Sequence, residues 1–118
     1  PFCSAEKDKK QTLQEQAFAD AKVGKELMRK AQMFLDTEKP SKDNLVIAAN
    51  LYVRAGQLFA RSSEILKSLG ESYSTEEDMR NLEGLINYCL ESINKINRSI
   101  RALENPSWTD DKGVLVAP

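Results

Sequence analysis

Residues able to carry acid–base, nucleophilic or metal chemistry are few in this chain, and one type is missing: among 118 residues there is no histidine. Its absence removes the commonest general base, every Ser-His and Cys-His couple, and most zinc and iron sites. Carboxylates acting alone would need to face one another from different helices in a bundle core. The inward faces of the second and third helical segments, defined below, carry none. The acidic pairs Glu76-Glu77 and Asp110-Asp111 fall at a helix start and in a tail. There they complement a helix dipole and solvate a turn. Gly24 stands alone in a helical stretch, with no glycine-rich loop to cradle a phosphate. The expectation is a protein without catalysis, metal or cofactor.

The two cysteines, Cys3 and Cys89, fall far apart on any helical reading. Cys89 lies between Ile86 and Ile93 on an inward face, and Cys3 precedes the first helix. They would stand roughly 20 Å or more apart along a bundle axis, whereas a disulfide needs Cα atoms within about 7 Å. Two free thiols are expected, and with them a reducing, cytosolic setting. The remaining charged groups suit recognition better than reaction. Arg54, Arg61, Glu91, Lys95, Arg98 and Arg101 form a mixed rim able to make charge-assisted hydrogen bonds to a partner.

The elements that position these groups follow from steps of three and four between apolar residues, which put side chains on one face of an α-helix. The second segment runs through Leu45, Ala48, Tyr52, Ala55, Phe59, Ser62, Leu66 and Leu69. The third runs through Met79, Leu82, Ile86, Cys89, Ile93, Ile96, Ile100 and Leu103. The first repeats the rhythm in smaller residues: Leu13, Ala17, Ala21, Gly24, Met28, Ala31 and Leu35. Ser4 can cap the first helix and Pro40 ends it; Ser41 or Asp43 caps the second, and Gly70 closes it. Ser74 and Glu77 have capping-box spacing, and Asn105-Pro106 stops the third helix. Helices are expected over about 5–38, 43–69 and 75–104, as an all-α, three-helix, up-down-up antiparallel bundle spanning 1–106. Residues 107–118 form an irregular tail, in which Trp108 is expected to lid the bundle end.

Composition agrees with one such domain. Charged residues are 30% and apolar ones 41%, with a net charge of −1. Residues 1–44 hold nine Lys/Arg against eight Asp/Glu, and residues 45–118 hold eight against ten. A balance this even argues against a nucleic-acid binder, which needs a basic excess to displace counterions from phosphates. The apolar run Leu45-Val46-Ile47-Ala48-Ala49 is broken by Asn50, so no membrane insertion is expected. Opening on Pro1, the chain reads as an excised domain or a processed product.

Helix two also carries more apolar surface than one groove needs. Leu51, Leu58 and Ile65, spaced by seven, lie on a flank of its stripe, and helix three adds Leu85, Tyr88 and Leu90 outside its own. A helix buries a stripe somewhat wider than 100°, so a broad core absorbs part of this surface. The rest would line a shallow groove between helices two and three that admits an amphipathic partner helix. The residues expected to bind it are Leu51, Leu58, Arg61, Ile65, Leu90, Glu91, Lys95 and Arg98.

Three stretches carry a family resemblance. Ala48-x-x-Leu51-Tyr52-x-x-Ala55-x-x-Leu58-Phe59 resembles the second helix of microtubule-interacting and trafficking (MIT) domains. Lys30-Ala31 followed by Asp36 resembles the end of that family's first helix. Cys89-Leu90-Glu91-Ser92-Ile93-Asn94-Lys95-Ile96 is similar to its third. The resemblance spans about residues 13–103. It implies a non-catalytic three-helix module that binds short motifs at the tails of ESCRT-III subunits, between helices two and three or between one and three. Glu91 would stand where the family's acidic residue receives an arginine. Two features depart from the family: a first turn some five residues longer than the usual one, and Ile93 where a small residue usually lines the groove. Beside this reading stand two others, a self-assembling or scaffolding bundle subunit, and a processed secreted factor or effector.

Overall fold

The computed structural model describes residues 2–105, with side chains from Ala5 onward; the contacts expected of Trp108 and the tail lie outside these residues, whereas the first helix already begins at Phe2, so that Cys3 stands within it rather than before it and Ser4 does not cap it. Three helices follow one another: α1 (Phe2–Leu35), α2 (Lys42–Leu69) and α3 (Glu76–Glu104). The fold is an all-α three-helix bundle, in which α1 packs along α2 and α2 along α3. Two ties fix the directions. Gln14 Nε2 donates to the Tyr73 carbonyl at 2.7 Å, joining the early part of α1 to the α2–α3 connection. Lys42 Nζ lies 2.9 Å from Glu104 Oε1, joining the start of α2 to the end of α3. The order is therefore up, down, up.

Helix ends show where local chemistry decides. α1 stops at Leu35, short of the expected 38, and Thr37 N–H turns back onto the Leu35 carbonyl at 2.8 Å. Lys39 precedes a proline and is barred from α geometry, and Asp36 and Thr37 favour turns over a last helical turn. Ser41 caps α2, its hydroxyl accepting from Asn44 N–H at 3.1 Å. Gly70, at φ 94° and ψ 178°, ends it in a region essentially reserved for glycine. The capping box of α3 is formed one residue later than expected, by Thr75 and Asp78 rather than Ser74 and Glu77. Asp78 N–H donates to Thr75 Oγ1 and Thr75 N–H to Asp78 Oδ2, both at 3.0 Å. This register puts Glu76, Glu77 and Asp78 together in the first turn, where the dipole favours them.

The core lies along the expected stripes. Tyr52, Phe59, Leu66 and Cys89 are fully buried, with Leu45, Leu82 and Ile96 nearly so. The α1 face is made of Ala17, Ala21, Gly24 and Ala31, all buried, and this smallness has a visible purpose. A Cβ at Gly24 would stand 2.7 Å from Phe59 Cε1, so the bare backbone of α1 is what receives that ring. Leu103, the last member of the α3 stripe, is 54% exposed and outside the core. Among the described residues no helix is long and apolar enough to cross a membrane.

Candidate functional site: a groove between helices one and three

Helix phase together with two contacts shows which flank of α2 faces which neighbour. A Cβ on Gly56 would meet Cys89 Cβ at 3.5 Å, so the Gly56 side faces α3. Arg61 Nε stands 3.0 Å from Asp20 Oδ2, an ionic contact without hydrogen-bond alignment, so the Arg61 side faces α1. Leu58 and Ile65 lie three residues before and four after Arg61, hence on its side of the helix. Leu51 is seven before Leu58, on the same line. These three leucine and isoleucine side chains are half-buried in the seam between α1 and α2. Leu51 and Ile65 pack against the core.

On α3, Tyr88 and Leu90 flank the buried Cys89 by about 100° on either side. Leu90 is 55% exposed and shares its flank with Ile86 and Ile93, which pack on the core. Tyr88 turns the other way, towards α1: its hydroxyl accepts from Gln32 Nε2 at 3.1 Å. The structure thus does not bring Leu58 and Leu90 together, since Leu58 faces α1 and Leu90 lies on the α3 flank away from it. Glu91 and Lys95, four residues apart on one face, line the α1 side of α3. Arg98 is exposed beyond them.

One open cleft, of about 680 Å³, lies between α1 and α3, and another, of about 640 Å³, at the α2–α3 connection around Gly70 and Thr75. In the first, Arg29, Gln32, Met33 and Asp36 form one wall, and Tyr88, Glu91, Ser92 and Lys95 the other. Its floor is Leu35, Tyr52 and Ile96. A smaller cleft, of about 500 Å³, continues the first towards the start of α3, lined by Lys25, Met28, Arg80, Asn81, Gly84, Leu85 and Tyr88. Tyr88 belongs to both, so one groove runs along the α1–α3 side. Its depth follows from the packing order, because both helices rest on α2 while their own backbones scarcely meet.

The groove sets apolar and charged side chains next to one another. Met33 is 70% exposed and Tyr88 42%, apolar area that the described residues leave uncovered. The Tyr88 ring stands edge-on to Tyr52, centroids 6.1 Å apart and planes at 63°, which holds it upright at the rim. Burial pushes the Tyr52 phenol up to about 12, with Tyr88 beside it adding to the shift. Burial likewise pushes the Cys89 thiol up to about 11. Neither group ionises near neutrality, and among the described residues no cluster of His, Cys, Asp and Glu could hold a metal ion. Of the α1 wall, Met33 was the signal available in sequence, a large apolar residue off the α1 stripe; Arg29 and Gln32 gave none. No family model, curated protein or solved structure matches the chain.

Proposed function

We propose that this domain is a non-catalytic interaction module of MIT type, which receives a short helical segment of a partner protein in the α1–α3 groove. The observation that carries this reading is the exposed pair Met33 and Tyr88, set in a groove whose rim offers both signs of charge in Arg29, Asp36, Glu91 and Lys95. Apolar anchors at the centre and a charged rim are the arrangement by which a groove takes an amphipathic helix and fixes its register. The resemblance of the second- and third-helix sequences to MIT domains supports tails of ESCRT-III subunits as the partner class, and a role in membrane trafficking in the cytosol. The module would tether a larger protein to such partners.

A short partner must order on binding, so the dissociation constant should be on the order of micromolar. Calorimetric titration with C-terminal tail peptides of ESCRT-III subunits tests this. Glu91→Arg should weaken binding at least about tenfold, the loss of one charge-assisted contact, while thermal melting stays as in wild type because the site is exposed. Absence of binding by every tail would remove the MIT-type assignment. The rival, a self-assembling subunit, rested on Leu51, Leu58 and Ile65, and these side chains are half-buried against α1. Light scattering should accordingly give a monomer; a stable dimer would favour the rival.

A further inference from the structure

Gly84 sits inside α3, exposed, with helical rather than positive φ, and a Cβ built there meets nothing within 4 Å. Glycine is the least favourable residue in a helix interior after proline. Gly24 and Gly70 have their reasons in the Phe59 ring and in a positive φ. For Gly84 neither packing within the domain nor backbone conformation supplies one. It lines the groove between Lys25 on α1 and Arg80 on α3, and no acidic side chain lines that part. Neither cation is in an ion pair among the described residues. A bare stretch of helix admits close backbone approach, and two unpaired cations beside an apolar floor of Met28, Leu85 and Tyr88 call for negative charge.

We propose that the partner helix crosses α3 at Gly84, backbone close to backbone, and carries acidic side chains that sit between Lys25 and Arg80. This rests on the groove reading above and specifies the partner: an amphipathic helix of another protein with acids flanking its apolar stripe.

The test uses a designed 20-residue helical peptide with leucines on one face flanked by glutamates, and a control with lysines in place of the glutamates. The glutamate peptide should bind wild type at least about tenfold more tightly than the lysine peptide. Lys25→Glu combined with Arg80→Glu should invert that preference. Gly84→Ala should raise the melting temperature, since alanine is the better helix former, yet weaken the glutamate peptide. Gly84→Leu should abolish its binding without loss of folding. Equal binding of the two peptides, failure of the glutamate peptide to bind, or full affinity in Gly84→Leu would each overturn the proposal. The tail-peptide titration decides the underlying groove reading separately.

Discussion

Two single atoms' worth of space separate the roles of the glycines. Adding a methyl at Gly24 drives it into Phe59, a side chain locked in the core. Gly24→Ala should therefore cost about 1–3 kcal/mol, as overpacking does, although alanine for glycine in a helix normally stabilises. Urea unfolding of the variant measures the sign; a gain in stability would mean that α1 sits further from α2 than described. The small-residue context of Ala17, Ala21 and Ala31 made the close approach legible in sequence, but not its partner, since nothing local to Gly24 points to Phe59. Titration behaviour belongs to the same scale. Cys89 and Tyr52 are held neutral by burial, with pKa values raised to about 11 and about 12. The unfolded chain gives up these protons at lower pH, so their contribution is complete below the ordinary thiol and phenol ranges. It is lost as pH rises towards the folded values. Stability should fall between about pH 9 and 12, and Tyr52→Phe should remove part of that slope. A flat profile over this range, followed by fluorescence or circular dichroism, would contradict the burial of both groups.

At the scale of the element, the caps offer a test of register. Thr75→Ala should cost α3 about 1 kcal/mol, while Ser74→Ala should cost close to nothing, because the capping hydroxyl belongs to Thr75. The reverse order in thermal melts would restore the box one residue earlier. Both registers satisfy the same spacing rule, Ser74 with Glu77 and Thr75 with Asp78, which is why sequence alone did not choose between them. The beginning of α1 is the other exposed element: every described side chain from Ala5 to Thr12 is exposed, and Leu13 is the first to reach the bundle. Amide exchange in these first turns should be orders of magnitude faster than at Ala21 or Ala31, since helix without tertiary packing is marginal. Strong protection before Leu13 would require a partner for that segment. The stripes themselves were legible except at Leu103, where α3 runs past the core, because a period of 3.6 residues records which face of each helix is inward.

For the whole molecule, the stripes leave one thing unrecorded: the hand of the bundle. An inward face says that a helix meets the core, not which neighbour stands on its left or right. Leu51, Leu58 and Ile65 were therefore identifiable as a flank, and their turning towards α1 follows only from the Asp20–Arg61 contact. For the same reason Glu91 and Lys95 could be named as rim residues while Met33, across the cleft on α1, could not be joined to them. The order of packing, with α1 and α3 each resting on α2, leaves the α1–α3 side as the open one. The most direct measurement is a heteronuclear NMR titration of the labelled domain with tail peptides of ESCRT-III subunits, the partner class proposed above. The expected result is chemical-shift change concentrated at Arg29, Gln32, Met33, Tyr88, Glu91 and Lys95, with Leu90 and the Leu58–Ile65 flank quiet. Shifts centred on Leu90 and the α2–α3 side, with the α1 wall unmoved, would contradict it.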